Sequence, residues 1–179
     1  MKEILLLSGY ARSGKDSVAN LLEEEYGYRR FAFADALKEM VSTQTGISVD
    51  RFHSIQKDTP IPGFHPAKTY RDLLLETAVV ERSRDLDVFS RIVAAALETS
   101  EATKFIISDW RYKREESFLR GKLDPTLFHI TRGRVVRSSI VPATVQIEHD
   151  LDGEPMDIMI MNNGSLADLK DSIYKAFHG

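Results

Sequence analysis

Cysteine is absent, which excludes a disulfide framework, a thiolate-held zinc or iron–sulfur centre and any thiol nucleophile. That composition is compatible with a reducing compartment, and a cytoplasmic location is expected. Long hydrophobic runs are also missing. The only early apolar run is Ile4 to Leu7, four residues against the about 7–15 of a signal h-region or the about 20 of a membrane helix, so neither is expected. Nor is one sign of charge in excess: 24 Lys and Arg stand against 27 Asp and Glu, a net charge of −3. Such a balance gives no general pull toward nucleic acid or an anionic membrane, so no partner of either kind is expected, and anion binding must come from locally arranged cations. Repeats and low-complexity tracts are lacking too. With 179 residues, 42% of them hydrophobic and 28% charged, the chain is expected to fold throughout around one core.

The apolar segments alternate in character. Ile4 to Ser8, ending at Gly9, reads as a buried parallel strand. After Gly14 the spacing becomes helical, with Val18, Leu21, Leu22 and Tyr26 on one face. Tyr28 to Phe33 reads as a second strand, followed by a helix through Val41 that Asp35 caps. Pro60, Pro62, Gly63 and Pro66 break the next stretch, so residues 46–68 are expected to be a long loop of the kind that carries function. Two helices follow, the second with Phe89, Ile92, Val93, Ala96 and Leu97 in helical register. Lys104 to Ser108 is expected as a strand ending in Asp109-Trp110-Arg111, and Arg114 to Arg120 as a short helix stopped by Gly121. Thr126 to Thr131 and Met156 to Met161 complete the strands. Ser165 and Asp168 form a capping box for a last helix carrying Leu166, Leu169, Ile173 and Phe177. This alternation predicts a three-layer α/β domain with a mostly parallel five-stranded sheet, which binds ligands outside the carboxyl ends of its strands.

Gly9-Tyr10-Ala11-Arg12-Ser13-Gly14-Lys15-Asp16-Ser17 has the G-x-x-x-x-G-K spacing of a Walker A loop, set between a strand and a helix as that motif requires. The glycines let backbone N–H groups turn onto phosphate oxygens, the helix N-terminus adds partial positive charge, and Lys15 reaches the terminal phosphates. The loop residues Gly9, Ala11, Arg12, Ser13, Gly14, Lys15, Asp16 and Ser17 are therefore expected to hold ATP. Asp16 occupies the position whose Ser/Thr hydroxyl usually ligates magnesium. It offers a hard oxygen ligand for Mg2+, directly or through water, and leaves Ser17 for an inner phosphate.

A phosphate loop alone defines a nucleotide site and no reaction. Phosphoryl transfer needs magnesium, positioning and cations aimed at the moving group. Asp109, at a strand tip, is placed to hold the metal through water, and Arg111 to point at an acceptor phosphate. Arg132, Arg134 and Arg137 supply planar donors within six residues; they suit a lid that excludes water from the transfer. Lys68 and Arg71 are weaker candidates for the acceptor. Arg29 and Arg30 read as surface or strand-edge charges. Glu148, His149, Asp150, Asp152 and Glu154 read as a solvated acidic turn whose spacing matches no metal motif. His53, His65, His129 and His178 belong to no recognisable constellation.

These residues resemble a family, the deoxynucleoside monophosphate kinases encoded by large DNA bacteriophages. The resemblance lies in SGYARSGKDS (8–17), where Asp after Gly-Lys is usual, and in FAFADALKE (31–39), KTYRDLLLE (68–76), ISDWR (107–111) and EHDLDGEPMDIMIMNNGSLADL (148–169). The sequence departs from the family at Ala36 and Tyr70, where proline is common, and at Tyr112-Lys113-Arg114, which replaces a more usual Phe-Pro-Asn. The resemblance implies one kinase domain over residues 1–179, with an acceptor-binding insertion at about 35–90 and a lid at about 132–148. It implies that Asp35, Lys38 and Arg71 touch the acceptor nucleotide, that Asp109 and Arg111 serve metal and acceptor phosphate, and that the loop with Asn163 and Gly164 borders adenine. The implied reaction moves the γ-phosphoryl of Mg-ATP to the 5′-phosphate of a dNMP; small nucleotides are the expected partners and a homodimer the implied assembly. Two rivals stay open: a P-loop kinase of another small acceptor, of the dephospho-coenzyme A or phosphomevalonate type, and an ATP-driven switch.

Overall fold

The computed structural model describes residues 2–53, 58–132 and 150–178. In chain order the elements are β1 (Glu3–Ser8), α1 (Lys15–Tyr26), β2 (Arg29–Phe31), α2 (Phe33–Thr45), α3 (Val49–His53), α4 (Tyr70–Arg84), α5 (Val88–Thr99), β3 (Lys104–Ile107), α6 (Lys113–Arg120), β4 (Thr126–Thr131), β5 (Ile158–Met161) and α7 (Leu166–His178). The five strands form one sheet in the order β2-β3-β1-β4-β5, and every pairing is parallel.

The position of β1 explains its composition. As the middle strand it is paired on both sides, Leu5 opposite Ile106 and Thr126, and Ile4, Leu5, Leu6 and Leu7 are all essentially inaccessible to solvent. A strand covered on both faces reads as an unbroken apolar run because no residue in it meets water. Leu5 and Leu7 pack with Val18 and Leu22 of α1, Leu169 and Ile173 of α7, and Phe128, Ile130 and Ile160 of the neighbouring strands. Burying a side chain of this size contributes about 1.5–3 kcal/mol, so α1 is fastened directly behind β1 and the loop between them is held at both ends. The loop at the carboxyl end of β1 is thereby fixed on a rigid base.

The chain forms two compact units, residues 1–32 with 96–179, and residues 33–95. The first holds the sheet, α1, α6 and α7. The second has its own small core of Val41, Phe52, Ile61 and Tyr70, with Leu37, Leu73 and Leu74 packed against it; Phe52 and Tyr70 meet edge to face at 5.8 Å. α4 opens with a capping box in which Thr69 and Asp72 bond each other's backbone N–H groups.

Several elements depart from expectation. Asp35 does not cap α2, which begins two residues earlier at Phe33 and runs on to Thr45; Asp35 lies in its first turn. The second strand is only Arg29–Phe31, because Phe33 is already buried as a helical residue. The 46–68 segment is not one loop: α3 forms within it and brings Phe52 into the core of the second unit. Gly121 ends α6 in a right-handed conformation, with φ −66°, so it is not the left-handed stop its identity suggested. β5 is shorter than predicted, starting at Ile158. Leu166 stays 57% exposed although it opens the apolar register of α7. Among the described residues no helix is long and apolar enough to cross a membrane.

Candidate functional site: a phosphate loop and its cleft

The turn from β1 to α1 can be made only with glycine at two positions. Gly9 has φ +142° and Gly14 φ +103°, both in the range that a Cβ disfavours. The space is as restrictive as the backbone. A Cβ on Gly9 would sit 2.4 Å from the Ile130 carbonyl oxygen, and one on Gly14 only 2.1 Å from Nδ2 of Asn162. Arg12 adopts φ 65°, so this short loop also carries one side-chain-bearing residue in the left-handed region. Gly14 is the N-cap of α1 and supplies no side-chain bond. The amides that open the helix are therefore not spent on a capping side chain, the arrangement that anion-binding helix starts use.

Lys15 lies across the loop, its Nζ donating to the carbonyls of Gly9 at 2.6 Å and Tyr10 at 2.9 Å. Ser13 is buried, and its Oγ has no hydrogen-bond partner among the described residues. An unpaired buried hydroxyl costs about 1–3 kcal/mol, a cost that a phosphate oxygen or a water at this loop would relieve. The Ser13 carbonyl accepts from Asn162 Nδ2 at 2.9 Å. The residue of the 162–165 loop that meets the phosphate loop is thus buried Asn162, while Asn163 and Gly164, expected to border the base, are exposed. Ser165 and Asp168 make the predicted capping box, Ser165 N–H donating to Asp168 Oδ2 at 2.7 Å and Asp168 N–H to Ser165 Oγ at 3.3 Å. These bonds hold the Asp168 carboxyl below its ordinary pKa.

A cleft opens beside the loop. Of the residues singled out in the sequence, Gly9, Ala11, Lys15 and Arg111 line it. Trp110 and Arg111 lie just past the carboxyl end of β3, after Ser108 and Asp109, and are held there by α6: the buried Glu115 carboxylate accepts from the backbone N–H of Arg111 at 3.1 Å and of Tyr112 at 3.2 Å, and the Trp110 indole donates to the Tyr112 carbonyl at 2.9 Å. Asp109 stands half-buried just before them.

Tyr10, Trp110, His129, Leu151 and Asp152 also line the cleft, and the sequence did not assign them to it. His129, in β4, shares a 2.8 Å hydrogen bond with Ser8 Oγ at the end of β1. Alternation along Thr126–Thr131 between buried Phe128 and Ile130 would have placed His129 on the opposite face of the sheet at its carboxyl end, which was the available signal. Burial lowers its pKa, nearby Lys15 adds to the lowering, and Asp152 opposes it. Because the folded value lies below the ordinary 6.5, protonation favours the unfolded chain. We expect His129 to contribute stability that is complete above pH 6.5 and is lost as pH falls through its folded value. Thermal melts of the protein and of His129→Gln between pH 5 and 8 should show the wild-type midpoint falling the more steeply on the acid side.

The acidic turn is not simply solvated. Asp150 accepts from the Lys113 backbone N–H at 2.8 Å, Glu154 pairs with the Lys113 ammonium, and Asp152 accepts from the Tyr10 hydroxyl. These carboxylates tie the turn to the start of α6 and to the phosphate loop. Glu148 and His149 lie outside the described residues, as do Arg134 and Arg137 with nearly all of the expected lid. Arg132 follows β4 and is exposed.

Asp16 and Ser17 are exposed in the first turn of α1. Among the described residues no three His, Asp or Glu side chains converge as a self-sufficient metal site. Magnesium carried by nucleotide phosphates takes only one or two protein carboxylates. Asp16 and Asp109 are the residues that would supply them, and the ion would neutralise phosphate charge.

In the second unit, Lys38 Nζ donates to Asp35 Oδ1 at 2.7 Å and lies 3.2 Å from His53 Nδ1. Arg71 forms a two-point pair with Asp58. Asp35 and Lys38 are thus brought together, with His53 added to them.

No protein-family model and no curated protein matches the chain. Solved structures do resemble it. An APS kinase from Mycobacterium tuberculosis matches with a TM-score of 0.52 and 13% identity, covering 99% of this chain and 98% of that one. A dephospho-CoA kinase from Campylobacter jejuni matches at 0.54 and 14%, covering 99% and 96%, and a sugar kinase from Janibacter sp. at 0.55 and 14%, covering 99% and 95%. At these identities the likeness defines architecture: the chain shares the fold of these kinases, with an all-parallel five-stranded sheet and a strand–loop–helix turn from β1 to α1.

Proposed function

We propose that the protein is an ATP-dependent kinase that transfers the γ-phosphoryl group to the 5′-phosphate of a deoxynucleoside monophosphate, giving ADP and the diphosphate. The observation that carries this reading is the pairing of Lys15 and Arg111 on one cleft at the carboxyl end of the sheet. Two cations there suit two anionic phosphates, whose mutual repulsion is the main obstacle to the reaction. A nucleotide phosphate has a second pKa near 6 and is largely dianionic at neutral pH, so its attacking oxygen needs no general base. Arg111 holds the acceptor phosphate, Lys15 the donor phosphates, and the buried Glu115 carboxylate fixes the backbone at Arg111. Lys38, Asp35 and Arg71 are the residues that the resemblance to the phage kinases implies for contact with the acceptor nucleotide. The resemblance of the sequence motifs to those of the phage deoxynucleoside monophosphate kinases supports the nucleotide acceptor, and Arg132, Arg134 and Arg137 would supply further charge to the transferring group. Magnesium supplies charge neutralisation on the donor phosphates when bound.

A second reading, a kinase of a hydroxyl acceptor, is favoured by neutral His129 in the same cleft, since a hydroxyl must lose its proton during attack. His129→Gln and Asp35→Asn separate the two. With a phosphate acceptor, kcat should fall by no more than about tenfold in either variant. If nucleotide binding is preserved while either substitution removes turnover by the 10²–10⁴-fold that a general base contributes, the acceptor is a hydroxyl.

A further inference from the structure

Arg30, read from the sequence as a strand-edge charge, does something more specific. It stands in the middle of the three-residue strand β2, opposite Ile106 of β3. All three of its guanidinium nitrogens have partners. Nε donates to Ser108 Oγ at 2.8 Å, Nη1 to Asn20 Oδ1 at 3.3 Å, and Nη2 to Asp16 Oδ1. Asp16 and Asn20 are one helical turn apart on α1, so they present to the same side of the helix. Ser108 is buried at the tip of β3, immediately before Asp109. One planar side chain therefore links the first turn of the phosphate-loop helix to the end of the strand that carries the second candidate metal carboxylate.

Stability does not account for the Arg30–Asp16 pair. The Asp16 side chain is 85% exposed and that of Arg30 31% exposed, and ion pairs so open to water contribute only about 0–1 kcal/mol. What the pair does fix is geometry. A short exposed aspartate at a helix start can occupy several rotamers, and a forked donor anchored at two other points selects one of them. The pairing uses Oδ1; Oδ2 has no protein partner among the described residues. Asp16 also sits at the chain position where the phosphate-loop motif places its metal-ligating hydroxyl.

We propose that Arg30 is a positioning residue for the metal–nucleotide site: it holds Asp16 by one carboxylate oxygen and presents the other to the hydrated magnesium ion that accompanies ATP. The inference rests on the kinase reading above. It distinguishes the fork of arginine from its charge, because a lysine at the same place keeps the cation and loses the three-point anchor.

The test is nucleotide binding by calorimetry, with and without Mg2+, which yields for each protein the factor by which the metal strengthens ATP binding. Arg30→Lys should shrink that factor about three- to tenfold and leave metal-free ATP binding within twofold of wild type. Asp16→Asn should shrink it at least as much. The double variant should be no worse than Asp16→Asn alone, since residues acting as a unit are not additive. Ser108→Ala, which removes one anchor without touching α1 or β2, should shift the factor in the same direction by less, and it serves if Arg30→Lys does not fold. An unchanged factor in Arg30→Lys with wild-type folding, or losses that multiply in the double variant, overturns the proposal. If wild-type protein does not bind ATP at all, the kinase reading itself has failed, a result distinct from either.

Discussion

Lys15→Ala should reduce phosphoryl transfer by about 10²–10³-fold, the scale measured when one preorganised donor to developing charge is removed, and should weaken ATP binding as well. The Lys15 ammonium is half-buried and held over the loop by two carbonyls, on the edge of the cleft that also contains Arg111. A cation kept in place before the nucleotide arrives has little reorganisation left to undergo on binding, and its interaction with phosphate is stronger here than in open water. The substitution removes this charge and leaves the architecture standing, because the buried core behind the loop is formed by Leu5, Leu7, Val18 and Leu22. Steady-state kinetics and calorimetric titration with ATP, beside a thermal melt, check the three parts of the expectation. A Lys15→Ala protein with wild-type ATP affinity would remove the phosphate loop from the account.

Gly9→Ala should act through the fold. Its Cβ would lie 2.4 Å from the Ile130 carbonyl and 2.8 Å from Ser13 Oγ, at φ +142°. The hydroxyl can rotate away. The carbonyl cannot, since it belongs to β4, which is paired with β1 on one side and β5 on the other. Overpacking against backbone with an unfavourable φ should cost about 3 kcal/mol or more, which for a domain of this size is a fall in Tm of roughly 10 °C. Gly27→Ala is the matched control. Gly27 also has a positive φ, +71°, but a Cβ there would meet nothing within 4 Å, so the change should cost only about 1 kcal/mol of backbone strain. Thermal or urea melts of the two variants separate the steric contribution from the conformational one.

What could be read in the sequence is what depends on local spacing. The run Ile4 to Leu7, the G-x-x-x-x-G-K loop and the Ser165–Asp168 box each carry their own geometry, and all three are found as expected. Elements set by long-range contacts were less visible. The buried position of Phe52 stabilises α3 ahead of the Pro-rich stretch, and that burial depends on Val41, Ile61 and Tyr70, which lie beyond α3's own turns. Burial of Phe33 likewise extends α2 backward past the residue that looked like its cap.

The site divides in the same way. The phosphate loop announces itself, while the partners that complete it come from other strands and loops: Asn162 on the Ser13 carbonyl, Asp152 on Tyr10, His129 on Ser8 and Arg30 on Asp16. Each is one polar residue, separated from its partner by between 14 and 149 positions. Sheet order brings β4 and β3 to either side of β1, and only that order makes neighbours of their carboxyl ends. The acidic turn illustrates the point, since its composition resembled a solvated surface until its contacts with Lys113 and Tyr10 were in view.

The central claim is that the acceptor is the phosphate of a deoxynucleoside monophosphate, and phosphorus NMR of the reaction mixture tests it directly. With Mg-ATP and each of the common dNMPs in turn, the account predicts that for at least one acceptor the dNMP resonance declines as the paired resonances of a dNDP and of ADP grow in equal amounts. ADP appearing with inorganic phosphate and no dNDP, or no ADP with any of the acceptors, would contradict it.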